Sequence, residues 1–230
     1  MKSKLEASTR NGIMNNTSVT KETSITGPAN RVEKHPFSPF LPSNAKVLFL
    51  GSFPPQEKRW SMKFYYPNYT NDFWYMIGLL WYNDKRHFTI PEEKRFNLEE
   101  ITRFCSETGF AMYDTATEVI RLKDNASDKF LEVVTPTNIP ELLSQLPNCE
   151  AIVTTGQKST DTLIETFHCD KPGMGEYVEI KLSIEDRESH LVSERKYKLW
   201  RLPSTSRAYP LKLEKKAEAY LQMFNQIGYL

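Results

Sequence analysis

Cysteine and histidine are scarce in this chain. Its 230 residues include three cysteines, Cys105, Cys149 and Cys169, and no CxxC pair. An odd number of thiols at such wide spacing does not suit a disulfide framework, and it cannot supply the four thiolates of an iron–sulfur cluster. The histidines, which form no HExxH-like pair, are His35, His87, His168 and His190. We therefore predict a protein without a structural metal.

Long apolar runs are also missing. No run approaches the roughly 18 residues that a membrane-spanning helix needs, and Met1 is not followed by the apolar stretch of a signal peptide. These absences predict a cytoplasmic protein with no membrane partner. Lys and Arg number 30 against 29 Asp and Glu, so the strongly basic balance of proteins that coat nucleic acid is absent. This balance neither supports nor excludes DNA as a ligand.

Residues 1–34 differ in composition from the rest of the chain. They are rich in Ser, Thr, Asn and Lys, and they show no period of 2 or 3.6 residues. Such a segment cannot bury enough apolar surface to offset its ordering entropy. We predict a disordered or loosely docked N-terminal arm over 1–34, followed by a single α/β domain over 35–230.

Short apolar runs alternate with helical patterns along this domain. Continuous apolar runs are typical of strands buried on both faces, and the strands predicted in this way cover 46–50, 110–114 and 151–155. Residues 177–184 and 196–202 alternate in polarity, so either they form a hairpin or the second completes the central sheet. The predicted helices cover about 72–81, 98–108, 139–146, 158–167 and 211–227. This order predicts a three-layer α/β/α sandwich around a mainly parallel sheet.

The loop Gly51-Ser52-Phe53-Pro54-Pro55 follows the first strand. In open α/β sheets the ligand crevice lies outside the carboxyl ends of the strands. The loop could therefore present backbone amides to a ligand, with Phe53 as a stacking face. The alternative is an ordinary turn with two prolines, because the loop lacks the full spacing of a phosphate-binding fingerprint. Asp114 ends the second strand, where it either orients a water or holds a loop.

The segment Phe64 to Trp74 joins consecutive aromatic residues to two asparagines. We interpret Phe73 and Trp74 as core residues. Asn68 and Asn71 are different, because an amide offers a donor and an acceptor together, as reading the edge of a nucleobase requires. An amide can also position a water without ionising. For Asn71, capping of the following helix is an equal alternative.

The segment Leu202-Pro203-Ser204-Thr205-Ser206-Arg207 ends the last predicted strand and precedes the last helix. Amides and hydroxyls at a helix N-terminus bind phosphate well, and Arg207 adds a cation beside them. The alternative is helix capping by Ser or Thr. Arg207 also belongs to a predicted basic patch with Lys212, Lys215 and Lys216.

Together these motifs resemble the uracil-DNA glycosylase superfamily and are most similar to its mismatch-specific and hypoxanthine-DNA glycosylase branches. The resemblance covers the chain from Pro36 onward. It rests on the Gly-Ser-Phe-Pro loop, on Tyr-Tyr-x-x-x-x-Asn-x-Phe-Trp at 65–74 and on Leu-Pro-Ser-Thr-Ser at 202–206. It implies a four-stranded parallel sheet between helices and a monomer that acts on DNA. The implied activity is excision of a flipped base in base excision repair, without a metal or a cofactor.

The resemblance also implies roles for individual residues. Asn68 is the leading catalytic candidate and Asn71 the second, because the hypoxanthine-acting branch relies on an asparagine in the aromatic segment. The residues implied to contact the base are Gly51, Ser52, Phe53, Pro54, Tyr66 and Asp114. Those implied to contact DNA are Pro203, Ser204, Thr205, Ser206 and Arg207.

Two departures from the superfamily leave the substrate open between uracil and hypoxanthine. Phe53 stands where many members carry Asn or Asp to activate the water. Residues 202–206 lack the histidine of efficient uracil-excising members. A monofunctional DNA glycosylase is the leading hypothesis. Its rivals are a catalytically inactive nucleic-acid-binding protein of the same fold and a hydrolase of free nucleosides or nucleotides.

Overall fold

A computed structural model of the chain describes residues 31–123 and 127–230. The strands in these ranges are β1 (Val32–Lys34), β2 (Val47–Gly51), β3 (Thr89–Ile90), β4 (Arg95–Phe96), β5 (Phe110–Asp114), β6 (Ala116–Arg121), β7 (Leu131–Pro136), β8 (Ala151–Thr155), β9 (Tyr177–Glu185) and β10 (Val192–Leu202). The helices are α1 (Phe73–Tyr82), α2 (Leu98–Thr108), α3 (Ile139–Ser144), α4 (Gln157–Phe167) and α5 (Leu213–Gln226). In this part of the chain no helix is both long enough and apolar enough to cross a membrane.

The central sheet has the strand order β5-β2-β8-β10-β9. Its first four strands are mutually parallel, and β9 pairs antiparallel with β10 at one edge. The predicted mainly parallel sheet is confirmed. Both alternatives for the last two strands hold, because β9 and β10 form a hairpin and β10 also completes the parallel set. Parallel strands end at the same edge, which brings together Gly51, Asp114, Thr155 and Leu202.

Helices cover both faces of this sheet. The ring of Phe49 on β2 contacts the ring of Phe73 on α1, with a centroid distance of 5.6 Å. Phe49 lies opposite Val153 in the β2–β8 register, so the next residue, Thr154, points to the other face. There its hydroxyl lies 2.8 Å from the hydroxyl of Thr160 on α4. Helices on opposite faces give the predicted three-layer sandwich.

Aromatic side chains fill the layer between the sheet and the last helix. Phe110 of β5 stacks on Phe224 of α5, with centroids 5.5 Å apart and ring planes 10° from parallel. Trp81 meets Phe224 edge-on at 4.7 Å. All three residues are fully or largely buried, so α5 is fixed against the sheet by hydrophobic contacts. The loop before α5 is therefore held at the carboxyl ends of the parallel strands.

A second, antiparallel sheet with the order β1-β6-β7 was not predicted. Its strands are mostly half-exposed and β6 is bulged, so they lack the continuous apolar run that marks the central strands. β1 takes Val32–Lys34 from the predicted arm and pairs them with β6, Val32 lying opposite Ile120. The remainder of the predicted arm, residues 1–30, lies outside the described residues.

Candidate active-site cleft

A cleft of about 870 Å³ opens outside the carboxyl ends of the parallel strands. This volume is typical of ligand sites. Of the residues singled out by the resemblance, those that line the cleft are Gly51, Ser52, Phe53, Pro54, Tyr66, Asn68, Asn71, Asp114, Ser204, Thr205, Ser206 and Arg207. Pro203 is buried away from this lining, and its carbonyl accepts a hydrogen bond from the Tyr220 hydroxyl at 3.1 Å.

Asp114 lines the cleft and forms a nearly buried pair with His35, which lies behind the lining. His35 Nε2 lies 2.9 Å from Asp114 Oδ2, and the two side chains are 2% and 10% exposed. Gly51 lies opposite Asp114 in the parallel register, and a Cβ at Gly51 would lie 2.3 Å from Asp114 Oδ1. The carboxylate therefore occupies the space that the missing side chain leaves. Sequence analysis missed His35, because an isolated histidine before the first central strand gives no spacing signal.

Phe53 belongs mainly to a small hydrophobic cluster beside the second sheet. It packs with Ala116, Val119 and Leu131 and is 8% exposed. Its ring meets His35 edge-on, with a centroid distance of 5.3 Å and an interplanar angle of 79°. The exposed part of the ring lines the cleft. Its suggested stacking on a base stays a prediction.

Tyr66 is held rigidly in the cleft lining. Its ring stacks on Phe73 with centroids 3.9 Å apart and planes 8° from parallel. Its hydroxyl lies 2.9 Å from the Thr155 hydroxyl, and burial raises the pKa of the phenol far above its usual range. Tyr66 also has a backbone φ of +52°, in the left-handed region that costs energy in a non-glycine residue. The fold holds this aromatic side chain in place despite a strained backbone.

The two asparagines form local turns. Asn68 Oδ1 accepts hydrogen bonds from the amide and the hydroxyl of Thr70, at 3.0 and 2.9 Å. Asn71 Oδ1 accepts at 2.9 Å from the amide of Phe73, the first residue of α1. Asp72 occupies the N-cap position of α1 without a side-chain cap bond. Both asparagine side chains are partly exposed in the cleft lining, where their NH₂ groups are the polar atoms not engaged in these turns.

The loop between β10 and α5 does not form a helix N-terminus. Helix α5 begins at Leu213, close to the predicted start at about 211, and Ser204–Arg207 precede it as predicted, so their amides do not belong to its first turn. The Ser204 hydroxyl accepts from the Ser206 amide, and the Ser206 hydroxyl accepts from the Ala208 amide, both at 3.2 Å. These serines shape the loop through local turns of a kind common for this residue type.

Asp72 joins this loop to the aromatic segment. Its amide donates to the Thr205 carbonyl at 2.8 Å, and its carboxylate accepts from Lys216 Nζ at 2.8 Å and from Arg207 Nε at 3.3 Å. The Lys216 side chain is fully buried, whereas that of Arg207 is 68% exposed. The inclusion of Lys216 in a surface basic patch is therefore wrong. Asp72 and Lys216 are 144 residues apart, and no local pattern links them.

Basic side chains outnumber acidic ones along the cleft. The basic residues in the lining are Arg59, Arg121, Lys129, Lys158 and Arg207, and the acidic ones are Asp114, Asp128 and Asp161. This excess favours an anionic ligand. Across residues 31–123 and 127–230, no group of three or more His, Cys, Asp or Glu side chains is arranged to hold a metal ion.

Comparison with solved structures shows a likeness of fold. No protein-family model and no curated protein matches the chain. Its fold is similar to the solution NMR structure of a "putative Uracil DNA glycosylase" from Methanosarcina acetivorans. The TM-score is 0.52 at 18% sequence identity, and the match covers 85% of this chain and 99% of that chain. The chain therefore has the fold of that protein.

Proposed function

We propose that this chain is a monofunctional DNA glycosylase of the uracil-DNA glycosylase superfamily. It would hydrolyse the N-glycosidic bond of a flipped deaminated base, uracil or hypoxanthine, in base excision repair. One observation carries the proposal: three separate segments, one of them far from the other two in sequence, line the same cleft. They are the Gly51–Pro55 loop, the aromatic segment around Tyr66 and the loop 204–207. The fold shared with the archaeal protein supports the same assignment.

The cleft has the surfaces that a flipped base needs. A base outside its duplex is held by aromatic stacking and by hydrogen bonds to its polar edge. Phe53 and Tyr66 supply aromatic surface in the lining, and Asn68 and Asn71 supply amide donors. We assign Asn68 as the first candidate to position the water or the base, and Asn71 as the second. Neither residue needs to ionise for these roles.

The rim of the cleft suits a phosphate backbone. The Arg207 side chain is mostly exposed although Asp72 holds its Nε, and Arg59, Lys129 and Lys158 lie in the same lining. Phosphate contacts of this kind position a protein on DNA and make its affinity dependent on salt. We propose DNA with a damaged or mispaired base as the partner of a monomeric protein.

The reaction would rest on positioning and electrostatics. An N-glycosidic bond breaks through an oxocarbenium-like sugar that a held water then attacks. Ordered donors facing the departing base, together with an oriented water, can supply much of the rate enhancement without a covalent nucleophile. Phe53 takes the place where many superfamily members carry the water-activating amide or carboxylate, so the proton transfers must use another group of the cleft.

The test is cleavage of labelled duplexes that contain one uracil, hypoxanthine or xanthine, followed by alkali to break abasic sites. Wild type runs beside Asn68→Ala and Asn71→Ala. Asn148→Ala serves as the matched control, because Asn148 is exposed and does not line the cleft. We expect cleavage at one lesion that is lost in Asn68→Ala or Asn71→Ala and kept in Asn148→Ala.

Two other outcomes would favour the rival functions. DNA binding without cleavage at any lesion would identify an inactive nucleic-acid-binding protein. Release of base from free nucleosides, unaffected by Arg207→Ala, would identify a small-molecule hydrolase, because such a substrate needs no contact with a phosphate backbone.

A further inference from the structure

Three carboxylates line the cleft, and their surroundings differ. Asp114 is held by His35 at 2.9 Å. Asp161 accepts from Lys171 Nζ at 2.6 Å, and bonds from Gln157 and Lys171 outweigh desolvation and lower its pKa. Both carboxylates are engaged by neighbouring side chains. Asp128 is the third carboxylate.

Asp128 begins a single 3₁₀ turn, Asp128–Phe130, directly before β7. Its side chain is partly buried and bonds to the side chain of Ser52 in the first loop. Both residues belong to the cleft lining. Asp128 therefore places a carboxyl group beside the loop in which Phe53 has replaced the usual polar residue.

Several charged groups act on Asp128, and burial dominates them. Desolvation and the negative charge of Asp114 raise the pKa of the Asp128 carboxyl. The Ser52 bond and the positive charges of Arg121 and Lys158 lower the same pKa, and the net pKa is raised from its ordinary value of 3.8. The pKa of Asp128 is thus raised while that of Asp161 is lowered, and carboxylates whose surroundings push their pKa values apart are a common basis for acid and base roles.

Rupture of an N-glycosidic bond to a purine is easier when the purine is protonated. Hypoxanthine and xanthine offer a ring nitrogen lone pair for this proton, whereas uracil offers only carbonyl oxygens. The amides and aromatic rings of the cleft cannot transfer a proton at neutral pH. A carboxyl group that keeps its proton more readily than usual can do so.

We propose that Asp128, held by Ser52, is the proton donor to the departing base. This inference rests on the proposed glycosylase function. The bond between the sugar C1′ and the base nitrogen breaks, its electron pair stays on the base, and the Asp128 proton moves to a ring nitrogen of the base. Water then adds to C1′ and passes one proton to the Asp128 carboxylate. The products are a neutral base and an abasic sugar, and Asp128 returns to its starting state.

The experiment measures single-turnover excision from duplexes with hypoxanthine or uracil across a range of pH. Asp128→Asn keeps the shape and a partner for Ser52 but removes the transferable proton. The matched control is Asp170→Asn, because Asp170 is an exposed aspartate that does not line the cleft. DNA affinity is measured for each variant, so that lost binding is separated from lost chemistry.

We expect Asp128→Asn to slow hypoxanthine excision by roughly 100-fold or more, with uracil excision far less affected and DNA affinity unchanged. The wild-type rate should fall as pH rises through the pKa of Asp128. Ser52→Ala should move this fall to higher pH, because the bond that lowers the pKa is gone. A purely structural role for Asp128 would not produce that shift.

Three results would overturn the proposal in distinguishable ways. Hypoxanthine excision that is unchanged in Asp128→Asn, or that is lost only toward low pH, excludes the acid role and leaves the glycosylase function standing. Excision of uracil alone, unaffected by Asp128→Asn, does the same. A wild type that excises no base overturns the glycosylase function and the acid role together.

Discussion

Lys216 Nζ donates to Asp72 Oδ2 across 2.8 Å, and the Lys216 side chain is fully buried. The lysine also donates to the Ser206 carbonyl at 2.9 Å. The contact therefore links the last helix, the start of α1 and the loop 204–207. Buried charges are tolerated only when paired. The positions of Asp72 and of the loop 204–207 at the cleft therefore depend on the docking of α5, which carries Lys216.

Removal of the buried lysine should strongly destabilise the fold. Lys216→Met leaves Asp72 with only the more distant Arg207, and loss of one partner of a buried pair costs about 3–5 kcal/mol. Lys215→Met is the control, because Lys215 pairs with Glu218 in solvent and such pairs contribute at most about 1 kcal/mol. Urea unfolding measures both changes. The double variant Asp72→Asn/Lys216→Met should recover part of the lost free energy of unfolding, because it no longer buries a carboxylate that has lost its lysine partner. A Lys216→Met protein as stable as Lys215→Met would contradict the prediction.

Gly51→Ala should displace the Asp114 carboxylate. The new Cβ would lie 2.3 Å from Asp114 Oδ1, while His35 holds the other carboxylate oxygen. Overpacking of this kind costs about 1–3 kcal/mol, measured by thermal or urea unfolding. In an Asp114→Ala background the same glycine change should cost much less, because the clashing atom is gone. If Gly51→Ala costs as much stability in the Asp114→Ala background as in the wild type, the contact with Asp114 Oδ1 is not what makes the alanine unfavourable.

Asp128→Asn should stabilise the protein in a pH-dependent manner. The folded-state pKa of Asp128 is raised from 3.8, so ionisation of this side chain is less favourable in the folded state than in the unfolded chain. Wild type therefore loses stability, relative to the asparagine variant, as pH rises through the folded-state pKa. The variant should show the higher Tm at about pH 8, and the difference should vanish at about pH 3, where both chains carry a neutral side chain. A Tm difference that grows toward low pH would mean that the pKa is lowered instead.

Arg207→Ala should weaken DNA binding through charge alone. The Arg207 side chain is largely in solvent, and removal of one phosphate contact should reduce the slope of log Kd against log salt by about 1. Fluorescence anisotropy with a labelled duplex measures this slope. Arg95→Ala is the control, because Arg95 pairs with Glu93 and does not line the cleft. The folding stability of Arg207→Ala should hardly differ from that of the wild type, since Lys216 still pairs with Asp72. Equal slopes for the two variants would exclude a phosphate contact at Arg207.

Strands β2, β5 and β8 could be predicted because each is a short apolar run that the sheet buries on both faces. The loops of the cleft could be predicted because they follow those strands. β1, β6 and β7 could not, since half-exposed strands leave no continuous apolar run. The pairs His35–Asp114 and Asp72–Lys216 join residues 79 and 144 positions apart. Such contacts depend on the packed fold and leave no local pattern.

The Asp72–Lys216 contact also sets an order of events during synthesis. The loop after β2 and the aromatic segment emerge from the ribosome long before residue 216, and until then the Asp72 carboxylate lacks its buried partner. A nascent chain can therefore assemble much of the sheet while its ligand site is still open on one side. We expect the cleft to reach its final shape only when α5 docks, so that affinity for a ligand appears late, after most of the core has formed.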